Sequence, residues 1–551
     1  MRHHPLLGRN VLAPALACLL MFAATVAIAT TYPVLSQTYD EPAHVASGLL
    51  WLSRGTYSYE YNHPPLSRVA AAVGPYADGL RSFGLPRKWD EGNAILYARG
   101  TYVRNLSLAR AGELPFFLIA GFIVWAWARR LFGDAGALLS VALFATLPPV
   151  LAHAGLATTD MAVTAMLAAT LYSATRWLEE PTLARGAALG ALTAGSVLAK
   201  FSALLFLPAA AAPLLVAWWW HERGATGGRA LAEPWSVRLW GMTRSLLVGG
   251  VVAAFVAWAT YHFSVGVVRG IPVPAPEFLK GIKNVAMLNS RGHPSYLLGR
   301  TSQRGWWYYF PVALAVKTTI PFLLFSAAGA AAVVRGPRAR RDWRPLVPLL
   351  AAMAIIAVCL PSSINLGVRH ILPVYPLLSI IAGYGALSLW RVGTARQVAR
   401  VACVALLAWT GVTVIRAHPD YIAYFNALAG RHPEHVLADS NLDWGQDMLR
   451  LAGEVRARRI ASISVAYFGT ADLARMTTAS VHLLQPSERA TGWVAVSEML
   501  LVTEPDHYAW IASIRPTAYV GKTIRLYYLQ PAPIQSGATR PGAALRVVIA
   551  P

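Results

Sequence analysis

The chain is short of charge. Only 13% of its 551 residues are Asp, Glu, Lys or Arg, while 56% are hydrophobic. Soluble domains carry roughly twice that share of charged residues, so a soluble globular class is excluded. Acid is the scarcer sign, with 26 Asp and Glu against 48 Lys and Arg. Cysteine is nearly missing. Cys18, Cys359 and Cys403 all fall inside apolar blocks and offer neither a disulfide framework nor a thiolate metal cluster. Low-complexity tracts and internal repeats are also lacking, and many transporters are built from repeated halves.

What the chain has is hydrophobic length. Apolar residues come in blocks of about 20, the number a helix needs to cross a hydrocarbon core. Blocks with basic flanks predict about eleven membrane helices, near 11–32, 112–132, 135–152, 161–178, 184–199, 202–220, 242–264, 309–333, 346–362, 371–390 and 401–415. The first is expected to be a retained helix, because its apolar run is too long for an ordinary signal peptide.

A net charge of +22 would raise the question of nucleic acid in a soluble protein. Its distribution answers otherwise. From Arg416 onward, 13 Lys and Arg face 11 Asp and Glu, so the excess sits in short loops between apolar blocks. Threaded from a cytoplasmic N-terminus, Arg129/Arg130, Arg176/Arg185, Arg223–Arg244, Arg335–Arg344 and Arg391–Arg400 all become cytoplasmic. Segments 33–111, 153–160, 265–308 and 416–551 then lie on the opposite face. The Ala- and Arg-rich composition suggests a GC-rich bacterial genome, hence an inner membrane.

Two domains are expected: a transmembrane domain over 1–415, with 33–111 as its first external loop, and an extracytoplasmic α/β domain over 416–551. In the loop, Pro42–Ser53 reads as an amphipathic helix with Gly55 just past its end, suited to lying in the membrane interface. In the C-terminal domain, Gly445–Arg459 reads as helix, and Ile460–Phe468 and Thr523–Leu529 as strands.

The external segments hold the chemistry. Tyr39-Asp40-Glu41-Pro42-Ala43-His44 places two carboxylates at a helix start, where free N–H groups favour the ionised form. Asp40 and His44, four apart, share a face. Tyr61-Asn62-His63-Pro64-Pro65-Leu66 is a locked, extended turn. Thr158-Thr159-Asp160 stands at the mouth of the fourth block. Each group alone is explained equally well as a helix cap or an interfacial histidine. Their coincidence on one face favours a site.

Asp40-Glu41, His63-Pro64-Pro65-Leu66 and Asp160, in this order and placement, resemble the GT-C glycosyltransferases of family 39, as do Gly305-Trp306-Trp307-Tyr308-Tyr309-Phe310-Pro311 and Arg369-His370-Ile371-Leu372-Pro373. That family includes the protein O-mannosyltransferases and the aminoarabinose transferase acting on lipid A. The resemblance covers roughly 1–415. It implies Asp40 as general base or orienter of the acceptor hydroxyl, with Glu41, its pair, and Asp160, a second acidic position, as further catalytic residues. It puts His63 near the carrier phosphate, where the aminoarabinose transferase carries Lys. It implies an inverting transfer of one sugar from a polyprenyl-phosphate carrier to a hydroxyl of a protein, lipid or glycan.

Departing phosphate needs cations or donors, and Arg369, His370, His63 and Lys200 are the external candidates, although Lys200 is better explained by plain snorkelling at a helix turn. Tyr308, in an aromatic run, suits the interfacial belt or stacking on sugar or isoprenoid. Lys317, inside the eighth block, is a functional candidate by its depth. The acidic run Asp439–Asp447 fails as an EF-hand, since Trp444 holds the glycine position and Arg450 that of the bidentate Glu. It reads as a cap and acidic first turn for the following helix. No obligatory metal is expected, although Asp40, Glu41, His44, His63 and Asp160 offer ligands suited to a divalent cation. The alternative function is a transporter, or a lipid-linked glycan flippase or ligase, using the same acidic residues.

Overall fold

A computed structural model describes residues 11–225, 235–336, 342–391 and 396–530. Parts of three of the basic loops, 223–244, 335–344 and 391–400, and the end of the C-terminal segment lie outside them.

Every apolar block becomes helix, with altered boundaries. Residues Leu12–Ala29, Asp160–Glu179, Leu183–Ala199, Ala203–Ala225, Trp235–Thr260, Val347–Cys359, Val374–Trp390 and Arg396–Ala417 are helical. Among the described residues, five helical units are long and apolar enough to cross a membrane, or six if one bent pair counts as a span. The helices 183–199, 344–359 and 374–390 are apolar but shorter. The chain is an integral membrane protein of mostly helical architecture, with a small C-terminal sheet domain.

The blocks 112–132 and 135–152 join as one helical run, Leu114–Ala145, broken in direction at Gly133, whose φ of 78° a side chain would resist. Helices Ile320–Arg335 and Val374–Trp390 cross closely through Gly329 and Gly385. A Cβ on Gly329 would stand 1.9 Å from the Ile381 carbonyl oxygen, and one on Gly385 2.0 Å from that of Phe325. Small residues at such crossings let backbones touch.

The block 309–333 is not one span. It folds as Tyr309–Lys317 and Ile320–Arg335, bent by 114°. Pro321 explains the break, because it has no N–H to offer the Lys317 carbonyl. Breaks inside a membrane domain persist only where protein satisfies the freed backbone groups. Here Asn426 does so: its Nδ2 donates to the Ala315 and Thr318 carbonyls at 2.6 Å each, and its N–H to Val316 at 2.9 Å.

The first loop holds four helices, Glu41–Arg54, Pro65–Ala77, Lys88–Leu96 and Tyr102–Ala111. Gly55 closes the first in the left-handed region, as expected. That helix does not lie in an interface, however. Glu41 through Leu50 are all buried, because Gly48 packs on the Arg68 backbone and Gly92 on that of Pro42. Its weak amphipathicity reflects burial on every side.

In the C-terminal segment, Met448–Ala457 is helix, and five strands form one sheet in the order Ser480–Leu483, Ser462–Ala466, Gly492–Ser497, Ile524–Leu529, Ala518–Val520. The first three are parallel and the last two antiparallel. Three of these strands had no sequence expectation.

Candidate active site

The site begins where the first helix ends. Residues 36–39 run alongside 444–446, with Ser36 N–H donating to the Gln446 carbonyl and Tyr39 N–H to that of Trp444, both at 2.9 Å. This pairing delivers Asp40 to the N-cap position of the helix Glu41–Arg54, yet its side chain makes no capping bond. Instead Asp40 Oδ2 accepts from Arg369 Nη1 at 3.0 Å. A plain cap role for Asp40 is thereby set aside.

Asp160 is the first residue of its own helix, after an N-cap residue, Thr159, that makes no side-chain capping bond. Asp160 Oδ1 accepts from Lys200 Nζ at 2.6 Å, and its Oδ2 stands 3.9 Å from Arg369 Nη1. Lys200 therefore does not snorkel; it turns inward to a carboxylate. Two acids and two cations from four separate elements meet, with Arg369 between the acids. Asp160 is 1% exposed, Asp40 31%. Arg369 also lies over the Trp444 ring, 4.2 Å from its centroid, a cation–π contact. Its Nε is buried without a hydrogen-bond partner.

Glu41 does not face this cluster. It is fully buried, accepting from Arg110 Nε and Nη2 at 2.8 Å each, from Thr38 N–H at 2.7 Å and from Ala157 N–H at 2.9 Å. Arg110 also donates to the Leu35 and Ser36 carbonyls. The pair thus ties the chain before Asp40 to the loop before Asp160. Its geometry is that of a brace.

His63 belongs to a neighbouring polar group. Its Nδ1 stands 3.1 Å from Glu60 Oε1, and Arg68, fully buried, donates to Glu60, Tyr57, Ser47 and His44 Nδ1. Lys88 also pairs with Glu60. Burial opposes ionisation of Glu60, but Arg68, His63 and Lys88 overcome it and hold the carboxyl well below its usual range. Burial lowers His63 despite Glu60, with Arg68 and Lys200 adding to the effect. Burial, then Lys200 and Arg369, push His370 well below the usual imidazole value. Its ring tilts against Phe310 at 6.3 Å. Tyr308 caps its helix by position and meets Trp307 edge-on at 5.5 Å. The adjacent Tyr309 is the aromatic tied to the site's floor, its hydroxyl accepting from Asn441 Nδ2 at 3.0 Å.

That floor is the acidic run, and it is not a helix cap. Asp439–Asn441 form a 3-10 turn, Asn441 Oδ1 accepts from Val368 N–H beside Arg369, and Trp444 lies under the guanidinium. Asp447, at the next helix's N-cap, makes no capping bond and binds Thr523, Lys522 N–H and Arg450 instead. Lys317 serves the same junction. Its Nζ donates to the carbonyls of Ile422, Tyr424 and Asn441, so an expected functional lysine is a structural peg. Trp444, Arg68 and Glu60 were missed in the sequence, and only the oddity of a Trp inside an acidic run hinted at the first.

Residues 107–232 match the family model described as dolichyl-phosphate-mannose-protein mannosyltransferase. Among curated proteins none matches the sequence. The apo structure of ArnT from Cupriavidus metallidurans superposes with a TM-score of 0.51 at 16% identity, covering 94% of this chain and all of that one. The same protein bound to undecaprenyl phosphate gives 0.48 at 14% identity, over 94% and 99% of the two chains. The Archaeoglobus fulgidus oligosaccharyltransferase tethered to an acceptor peptide gives 0.45 at 11%, over 90% and 71%. The chain has the GT-C fold and is similar to glycosyltransferases of that class.

Proposed function

We propose that the protein transfers a single sugar from a polyprenyl-phosphate carrier to a hydroxyl acceptor on the outer face of a bacterial inner membrane, with inversion at the anomeric carbon. The observation that carries this is the meeting of Asp40 and Asp160 on Arg369 beside Lys200. Glycosyl transfer from a phosphate needs a carboxylate at the attacking hydroxyl and cations at the departing oxygen, and both lie here within one cluster. The match of 107–232 to dolichyl-phosphate-mannose-dependent enzymes supports a lipid-phosphate donor.

Asp40, the more exposed acid, takes the proton as the acceptor oxygen bonds to the anomeric carbon. The bond from that carbon to the phosphate oxygen breaks, and the lipid phosphate keeps the electron pair. Arg369 stabilises the new negative charge, helped by Lys200, while His63 and His370 donate at its edge. Asp160, enclosed, holds Lys200 and Arg369 in register. Glu41 braces the two acid-bearing loops. Tyr308 lies at the aromatic rim for carrier or sugar. No metal is required for this step, because the charges it needs are supplied by side chains.

A transporter or flippase would instead place its ionisable groups along a path at the membrane midplane. Mass spectrometry of glycans and glycolipids from cells carrying wild-type protein or Asp40→Asn decides between them. A glycan that vanishes in the variant supports transfer. An unchanged profile, with the variant folded in the membrane, contradicts it.

A further inference from the structure

Among the described residues, the five proposed from the sequence as cation ligands do not bring three ligand atoms together. Among the described residues, the side chains that bring three such ligand atoms together are His432, Glu434 and His435, all within 4.8 Å of one another. They lie on and beside a 3-10 turn, Pro433–His435, before the segment that floors the site. We propose that these three side chains bind a divalent transition-metal ion of the zinc type, in a structural site distinct from the transfer centre.

The donor set argues for that class of ion. Two imidazoles and one carboxylate suit Zn²⁺, whereas Mg²⁺ and Ca²⁺ prefer oxygen throughout. Three protein ligands leave one tetrahedral position for water. The backbone is already arranged. Pro433 fixes φ within the turn, and its carbonyl accepts from both Val436 N–H at 2.9 Å and Leu437 N–H at 3.2 Å. Val436 in turn accepts from Leu298 N–H at 3.0 Å, and Leu437 is fully buried. The three ligands therefore project from an anchored turn.

The side chains retain the freedom to close. His432 is 73% exposed, so its ring rotates at little cost, whereas Glu434 is 16% exposed and reaches His432 Nδ1 at 2.9 Å. A largely enclosed carboxylate whose partner is one exposed imidazole gains from a cation. The two rings stand 5.9 Å apart, tilted by 49°, and must approach for both nitrogens to reach one ion at about 2.0–2.1 Å. The other exposed histidine–glutamate pairs, His482 with Glu488 and His507 with Glu504, have no third ligand of this kind beside them among the described residues. Asp439, four residues beyond His435, opens the turn beneath Arg369, so a bound ion would stiffen the approach to the site without touching substrate.

The test uses the full-length protein in detergent, stripped with a chelator. Zn²⁺ affinity is measured by competition with a chromogenic chelator, and Co²⁺ is added separately to read its visible absorption. One Zn²⁺ per chain is expected, with a tetrahedral Co²⁺ spectrum. His432→Ala/His435→Ala should weaken binding by more than the roughly 100-fold that loss of an outer-shell partner causes, while His482→Ala leaves it unchanged. The affected residues are at the surface, and an unaltered gel-filtration profile checks the fold. Absence of Zn²⁺ binding by the wild type, equal binding by the double variant, or an equal loss in His482→Ala would each overturn the site.

Discussion

Asp40 and Asp160 both approach Arg369, but only Asp40 has substantial exposure, 31% against 1%. On the function proposed above, that difference assigns Asp40 as the base and Asp160 as the holder. Asp40→Asn should abolish transfer while the protein keeps its fold, because the amide oxygen can still accept from Arg369 and Asp160 remains beside it as a counter-charge. Arg369→Ala should lower turnover by a factor of about 10²–10³, as lost oxyanion donors do, measured at saturating donor. Glu41 predicts the opposite pattern. Glu41→Gln leaves Arg110 buried without its counter-charge, which costs on the order of 3–5 kcal/mol and should appear as a large fall in thermal unfolding temperature. If Glu41→Gln were stable and merely inactive, the brace would be wrong and Glu41 would return to the chemistry. The sequence placed Asp40, Asp160 and Arg369 as candidates through short motifs. It did not separate Asp40 from Glu41, since adjacent residues at a helix start point in different directions and only Arg110, 69 positions on, reveals which is enclosed.

Among the elements, the bent pair Tyr309–Lys317 and Ile320–Arg335 joins the membrane domain to the C-terminal segment. Lys317→Met would leave three carbonyls without their donor, each a buried acceptor worth about 1–3 kcal/mol. The expected result is faster proteolysis of the 418–447 segment in folded membranes, and an unchanged digestion rate would contradict the peg. Hydropathy located the helices because a block of apolar residues reports burial in lipid or protein alike. It did not locate the bend, since carbonyls freed around the break are satisfied by Asn426, more than a hundred residues later. Nor did it find the strands 480–483, 492–497 and 518–520, two of which are short sheet edges with mixed exposure.

A further element-scale consequence concerns Asp443, which burial pushes up to about 7 against donors from Ser497, Met499 N–H and Gly445 N–H. A carboxyl raised in the folded state binds a proton there that the unfolded chain has released. Its contribution to stability is therefore full below about pH 4 and is lost as pH rises to about 7. The thermal unfolding temperature should fall as pH rises between those limits, and Asp443→Asn should flatten that fall. An identical slope in the variant would show that another group titrates.

On the scale of the whole molecule, a membrane domain and a sheet domain share one site, because 444–446 pairs with 36–39 and Trp444 lies under Arg369. Composition alone revealed the membrane class, and the loop arginines predict an orientation that a fusion experiment tests. A reporter fused after Pro551 should be active only outside the cytoplasm and one near Arg338 only inside; activity of both on one side would contradict the threading. The dependence of the site on the C-terminal segment was not legible, since pairing between residues some 400 positions apart leaves no periodicity to read. The most direct measurement is transfer by purified protein in liposomes, supplied with a labelled sugar either on polyprenyl phosphate or on a nucleotide. Transfer from the lipid-linked donor by wild type, and none by Asp40→Asn, is the predicted result. Transfer from the nucleotide sugar without a lipid intermediate, or full activity of Asp40→Asn, would contradict it.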